Sequence, residues 1–91
     1  MLNTNAESIV ARGANTALRV WRDEAPNAGK PEETRPYETL GYIVAGRLEL
    51  TVNGETSSLS AGDAYTVPAN APHRYVVREQ LTAVEAITPA P

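Results

Sequence analysis

The stretch Gly62-Asp63-Ala64-Tyr65-Thr66-Val67-Pro68-Ala69-Asn70-Ala71-Pro72-His73 decides the fold of this 91-residue chain. It opens with the turn residues Gly62-Asp63, continues with a β-branched and aromatic run at 64–68, and closes with a second turn at Asn70 to Pro72. A run rich in Val, Thr and Tyr between two turns is typical of a β-strand. Because a further run of this kind starts at His73, the stretch predicts two strands joined by a turn.

The same alternation of turns and short apolar runs continues in both directions. Turns recur about every eight to twelve residues, which is the spacing of an all-β fold. The turn residues are Gly13, Pro26 to Gly29, Gly46, Asn53-Gly54, Gly62-Asp63, Asn70 to Pro72 and Arg78 to Gln80. Because no stretch keeps helical spacing beyond two turns, we predict about eight short strands, paired antiparallel in a jelly-roll barrel or a small sandwich.

Two strands have informative side-chain patterns. Residues 16–22 alternate, with Leu18 and Val20 on one face and Arg19 and Trp21 on the other. Residues 40–45 are apolar on both faces, which indicates a strand that is covered on both sides. One side would be the barrel interior. The other side, with Leu40, Tyr42 and Val44, would meet a second sheet or a partner subunit.

Two turns flank the next strand. Residues 47–53 alternate cleanly between apolar and polar side chains, as a half-buried strand does. Ala45-Gly46 is predicted to be a tight turn into this strand. Asn53-Gly54 predicts a type I′ turn out of it, because both residues tolerate the positive φ that this turn requires.

Composition excludes several classes of function. The formal net charge is −3 and no basic stripe is present, so a nucleic-acid partner is not expected. The chain contains no cysteine, which excludes disulfides, thiolate metal sites and cysteine nucleophiles. No apolar run reaches the roughly 18 residues of a membrane span, and no signal segment is evident, so we expect one cytoplasmic domain over residues 1–91.

The stretch from Gly62 to His73 resembles the second conserved motif of the cupin superfamily. That motif reads Gly, five residues, Pro, one residue, Gly, two residues, His, and Gly62, Pro68 and His73 fall in register with it. Asn70 replaces the motif glycine, and Val77 replaces its final Asn. The resemblance implies an antiparallel double-stranded β-helix, a jelly-roll barrel with its core at about 30–88, that is often a homodimer.

The first cupin motif is only partly present. Its second half resembles the region around Gly46, and counting back places Thr39 at the position of the family glutamate. Glu33 and Arg35 then occupy the two family histidine positions. His73 and Glu33 are the remaining candidates if a divalent metal binds. Because Arg35 would add a positive charge beside such an ion, we expect no metal cofactor.

The resemblance places His73 on the inner wall, and strand alternation extends the pocket from there. His73, Tyr75 and Val77 would line one side, and the odd-numbered positions from Glu33 to Ile43 the other. Glu33 and Arg35 could instead pair with each other at the barrel mouth and bind nothing. Tyr42 and Tyr65 are expected outside this pocket, between sheets or at a dimer contact, and Asp63 is expected to be a turn acid.

Three functional hypotheses follow. In the first, the chain is a binding protein for a small polar or anionic molecule, contacted by His73, Arg35, Glu33, Tyr75 and Thr39. In the second it is an enzyme, either metal-dependent through His73 and Glu33, or metal-free and isomerase-like with His73 as the base. In the third it is a structural or regulatory dimer without a ligand. The residues leave the choice open, although they favour the binding protein.

Overall fold

The computed structural model describes residues 8–27, 29 and 31–91, which form an antiparallel β-structure without an α-helix. The strands are β1 (Ile9–Arg12), β2 (Ala17–Glu24), β3 (Glu38–Val52), β4 (Glu55–Ser60), β5 (Ala64–Val67) and β6 (His73–Thr88). The all-β prediction is therefore confirmed. Within the described ranges, no helix has the length and apolar character needed to cross a membrane.

The long strands β3 and β6 pair with each other and connect two halves of the barrel. The first part of β3 pairs with the end of β6 and with β5, and β6 also pairs with β2, which pairs with β1. These segments make a five-stranded half. The second part of β3 pairs with the start of β6 and with β4, making a three-stranded half. The two halves enclose the core of a jelly roll.

The prediction of a tight turn at Ala45-Gly46 is wrong, as is the turn predicted at Arg78 to Gln80. Both segments remain extended, and the β3–β6 register shifts at irregularities between Ile43 and Leu48. Gly46 has φ +95°, and a Cβ there would overlap the backbone carbonyl of Gln80. The glycine therefore bends a continuous strand, which is why six strands replace the predicted eight or so.

The turns at Asn53-Gly54, Gly62-Asp63 and Asn70 form as predicted, whereas the predicted turn at Pro26 to Gly29 includes Ala28, which lies outside the described residues. Asn53 and Gly54 have φ of 51° and 82° between the paired residues Val52 and Glu55, as a two-residue hairpin requires. Asn70 has φ 63°, so it adopts the left-handed conformation of the motif glycine that it replaces. The Asp63 carboxylate accepts the Ser60 backbone N–H at 2.8 Å, which confirms its role as a turn acid.

The core lies between the two halves. Its main cluster contains Trp21, Ile43, Leu48, Leu50, Val67, Tyr75, Val77, Leu81 and Ala83. The side chains at 73, 75 and 77 are buried, and so are those at 37, 39 and 43, as strand alternation predicted. Leu40, Tyr42 and Val44 point outward and keep 51%, 51% and 50% of their surface exposed.

We predict that Gly46→Ala destabilises the fold much more than Gly62→Ala. Gly62 has nearly the same φ, +94°, but a Cβ there meets nothing within 4 Å. Gly62→Ala should therefore cost only the positive-φ strain, about 1–2 kcal/mol. Gly46→Ala adds the overlap with Gln80 and should cost at least about 2 kcal/mol more. Denaturant unfolding measures both variants, and equal losses would contradict the bulge geometry.

Candidate functional site

One row of residues crosses the inner face of the five-stranded half. Arg19 on β2 lies opposite Glu85 on β6, Glu85 lies opposite Gly41 on β3, and Gly41 lies opposite Tyr65 on β5. Directly opposed residues point to the same face of a sheet, so the row directs a cation, a carboxylate and a phenol into the interior. None of Arg19, Glu85 and Tyr65 was a sequence-based site candidate.

Glu85 is completely buried and accepts hydrogen bonds on both oxygens. Its Oε1 accepts from Arg19 Nε at 2.9 Å, from Arg19 Nη2 at 2.6 Å and from Trp21 Nε1 at 3.0 Å. Its Oε2 accepts from the hydroxyls of Tyr65 at 2.6 Å and Tyr75 at 3.3 Å. A carboxylate can be held in a core when donors replace its lost hydration, and here five N–H and O–H groups do so.

The Arg19 guanidinium is equally enclosed, with 2% of the residue exposed. Its carbon lies 5.6 Å from the Trp21 ring centroid and 5.8 Å from the Tyr37 ring centroid, and Nη1 donates to the Tyr37 hydroxyl at 3.4 Å. Burial by itself would lower the pKa of Arg19, but the Glu85 carboxylate and the Tyr37 hydroxyl together more than compensate, and the pKa is raised. Arg19 is therefore a permanent cation fixed between aromatic faces.

The missing side chain of Gly41 makes room for Tyr65. A Cβ on Gly41 would overlap the Tyr65 ring, so the phenol can lie over this backbone and reach Glu85. The prediction that Tyr65 packs outside the pocket is therefore wrong, whereas Tyr42 does point outward. Burial first, and then the Glu85 charge, raise the pKa of Tyr65 and Tyr75, so both remain hydroxyl donors.

His73 lies at the start of β6 with 4% of its surface exposed. Its backbone exchanges two hydrogen bonds of 2.9 Å with Glu33, and its ring lies edge-on to Tyr75, with centroids 5.5 Å apart. Nδ1 lies 2.9 Å from the carbonyl oxygen of Ala71. Because a carbonyl only accepts, Nδ1 carries a proton in this contact, and in the neutral tautomer the lone pair is therefore on Nε2.

The sequence-predicted site residues divide into two groups. His73, Tyr75 and Thr39 are buried between the halves. The side chains of Glu33 and Arg35 are 42% and 34% exposed and form an ion pair of 3.1 Å, so they lie at the rim rather than on the enclosed wall. The rim is joined to His73 through the Glu33 backbone. A ligand-binding role for these five residues stays a prediction.

The donor set does not fit a catalytic metal. Among the described residues, no three His, Cys, Asp or Glu side chains gather closely enough to hold an ion. Thr39 and Arg35 stand where the family supplies a carboxylate and an imidazole, and the rim carboxylate of Glu33 is paired with Arg35. Glu85 is the interior carboxylate, and five hydrogen bonds already occupy its oxygens.

A cavity of about 350 Å³ opens between β4 and β5. Both strands pair with β3, at different points along it, and this leaves a gap between them. The cavity is lined by Leu50, Val52, Asn53, Glu55, Ser57, Leu59, Ala64, Tyr65, Thr66 and Pro68. Its lining thus combines apolar groups with hydroxyl, amide and carboxylate groups, and includes no basic side chain. Inward alternation of Glu55, Ser57 and Leu59 was the sequence signal that could have located it.

The architecture and the inward histidine define a class of protein. An antiparallel double-stranded β-helix, with the motif histidine buried at the start of its last strand, is the arrangement of a cupin barrel. The family model described as a cupin domain matches residues 21–88. This chain therefore belongs to the cupin-domain family.

Solved structures support the same fold. KdgF from Halomonas sp. has a TM-score of 0.79 and 24% identity, covering 91% of this chain and 76% of that chain. The cupin domain of Schizosaccharomyces pombe Cnp3 has a TM-score of 0.78 and 17% identity, covering 90% and 62%. An RmlC-like cupin from Shewanella frigidimarina has a TM-score of 0.67 and 20% identity, covering 96% and 89%. No curated protein shows a significant match to the chain.

We predict that Glu85→Gln lowers the free energy of unfolding by about 3–5 kcal/mol, because it leaves the buried Arg19 without a counter-charge. Glu79→Gln is the matched control. It breaks the Arg47–Glu79 pair, whose side chains are 42% and 63% exposed, and should cost less than about 1 kcal/mol. Denaturant unfolding compares the two variants. Similar losses would show that Glu85 does not organise the interior.

Proposed function

We propose that this cupin binds a small polar molecule between its two halves and needs no catalytic metal to do so. The observation that carries the proposal is the cavity between β4 and β5, which is lined by both polar and apolar groups. Its volume of about 350 Å³ falls in the range of roughly 300–1,000 Å³ that small-molecule sites occupy. We also propose a cytoplasmic location, in keeping with the cysteine-free sequence.

The lining favours a neutral or amine-bearing ligand. Asn53, Ser57 and Thr66 offer amide and hydroxyl groups that can both donate and accept, and Glu55 adds a carboxylate. A ligand carboxylate in the cavity would meet this negative charge without a lining cation to offset it. Hydroxyl-rich or amine-bearing molecules match the donors and acceptors that are present.

The proposed site continues along the inner wall towards the residues that the sequence analysis predicted. In the three-stranded half, His73 lies opposite Val52, and Val52 lies opposite Glu55, so the three residues form one inward row. A ligand that enters over Val52 would therefore approach His73, with Tyr75 and Thr39 behind it. An anionic ligand is the alternative and would have to draw Arg35 away from Glu33 at the rim.

We predict that Ser57→Phe abolishes ligand binding and that Ser58→Phe does not. Both serines are exposed, but Ser57 lines the cavity whereas Ser58 is not among the lining residues. The ring at position 57 fills the space that the ligand needs. Each protein is dialysed to equilibrium against a defined mixture of sugars, polyols, amino sugars and small carboxylic acids. Mass spectrometry then identifies the retained compounds.

The proposal expects wild type and Ser58→Phe to retain the same neutral or amine-bearing compound, and Ser57→Phe to lose it. Retention that Ser57→Phe leaves unchanged would place the ligand elsewhere. Retention of carboxylic acids alone, lost on Arg35→Gln, would establish the anionic alternative. No retention by wild type would favour a dimer without a ligand.

A metal-free enzyme with His73 as general base is the second candidate. The orientation of the imidazole, with Nδ1 towards the Ala71 carbonyl, favours it. The Ala71 carbonyl holds the Nδ1 proton, so the lone pair of Nε2 is the one that could accept a proton. A backbone carbonyl, rather than a carboxylate, thus orients the ring.

This second candidate predicts that His73→Gln keeps ligand binding but abolishes turnover of the bound compound. An amide retains polar contacts, whereas it cannot act as a base near neutral pH. Following the retained compound over time by NMR, with wild type and His73→Gln in parallel, tests this directly. An unchanged compound with wild-type protein would contradict the enzyme and leave the binding protein as the function.

A further inference from the structure

A second cleft, of about 550 Å³, lies on the outer face of the three-stranded half. It is lined by Gly29, Pro31, Glu32, Thr51 and Arg74. His73 and Tyr75 point inward, so the alternation of β6 turns Arg74 outward. Thr51 is the opposed neighbour of Arg74 on β3 and points the same way. The sheet itself therefore separates this cleft from the interior and from the cavity between β4 and β5.

The segment that precedes β3 forms one wall of this cleft. It is attached to β6 at two points: the Asn27 N–H donates to the Val77 carbonyl at 3.1 Å, and Glu33 exchanges two backbone hydrogen bonds of 2.9 Å with His73. Gly29 lies between these attachments, and its N–H donates to the Asn27 side-chain carbonyl at 2.8 Å. Because the segment between the attachments is longer than the part of β6 that it faces, it cannot follow the strand throughout. The cleft lies where the two diverge.

Gly29 determines where the Arg74 guanidinium lies. Gly29 has φ +100°, and a Cβ at this position would be 2.7 Å from Nη2 and 3.1 Å from Nε of Arg74. The guanidinium thus rests directly against the glycine, and a side chain there would push it aside. The missing side chain of Gly29 therefore lets the cation lie at the wall of the cleft.

Two opposite charges line the cleft without neutralising each other. The backbone bridge that the following residue makes to His73 places Glu32 opposite Arg74 on the outward side. In the part of the chain that the structure describes, neither of these side chains takes part in a hydrogen bond or an ion pair. Glu49, the next outward acid on β3, is paired with Arg78 at 2.8 Å. One cation and one anion are thus available in the same cleft.

We propose that this cleft binds a small amino acid, with the ligand carboxylate on Arg74 and the ligand ammonium group on Glu32. The site is separate from the proposed cavity between the halves and does not rest on it. A guanidinium can donate two parallel hydrogen bonds to a carboxylate, and a carboxylate accepts from an ammonium group. The Thr51 hydroxyl adds a polar group to the lining. A phosphate is a poorer match, because its second negative charge would meet Glu32.

The test is an NMR titration of isotope-labelled protein with L-alanine and with β-alanine, whose two charges are separated by different distances. At least one of them should shift the backbone N–H signals of Gly29, Glu32 and Arg74 in a saturable way. Propionate and isopropylamine, which carry one charge each, should bind at least about tenfold more weakly, because each engages only one of the two protein groups. Fluorescence of Trp21, the single tryptophan, reports whether each variant below keeps its core.

Charge removal identifies the two contacts. Arg74→Gln and Glu32→Gln should each weaken binding of the amino acid at least about fivefold, since each removes one partner of the ligand. Arg22→Gln and Glu38→Gln are the matched controls. Both of these residues are exposed on strands of the five-stranded half, so the same changes of charge there should leave the affinity unchanged.

Two further variants test the position of the site. Gly29→Ala should weaken binding without any change of charge, because it displaces the guanidinium, whereas Gly62→Ala, at nearly the same φ, should not. Ser57→Phe should leave the affinity unchanged, since Ser57 lines the other cavity. Loss of binding in Ser57→Phe would place the amino acid between the halves instead. The absence of saturable shifts with either amino acid, or equal effects of the Arg74 and Arg22 variants, would also overturn the proposal.

Discussion

The buried contact between Arg19 and Glu85 is the constraint on which the interior of this barrel depends. A chain of 91 residues has a thin core, and a bare carboxylate there would be very costly. The cost is offset because donors from several strands meet on Glu85. Arg19 and Tyr65 come from the five-stranded half, whereas Tyr75 comes from the three-stranded half. The carboxylate therefore fixes the two halves relative to each other.

The same contact limits the chemistry that the interior can perform. A carboxylate that already accepts five hydrogen bonds has no lone pair directed at an ion or a substrate, and Arg19 is neutralised by it. The interior charges thus serve the architecture, and the ligand chemistry that we propose falls to His73 and to the cavity beside Tyr65. The family ligands are absent at positions 35 and 39, and both oxygens of Glu85 are already hydrogen bonded. Both observations support an architectural role for the interior charges.

Local sequence signals predicted much of the fold, whereas the long-range contacts could not be predicted from them. The Asn53-Gly54 hairpin and the inward alternation from His73 depend on neighbouring residues, so the sequence displays them directly. The turn prediction at Gly46 was wrong because a glycine with positive φ is equally compatible with a turn and with a bulge. Glu85 was missed because its partner Arg19 lies 66 positions away, and only pairing through β2 and β6 brings them together. The sole visible signal was one acid within an apolar strand.

Alternation gives the part of the five-stranded half around Glu85 an inverted character. Along β3, buried Thr39 and Gly41 alternate with exposed Leu40 and Tyr42, so polar or small groups face inward and large apolar groups face outward. An isolated sheet in water would favour the reverse orientation. The polar row on the inner face is stable because Glu85 and its donors satisfy one another. The apolar residues opposite this row have no such internal partners, and Leu40 and Tyr42 keep about half of their surface exposed.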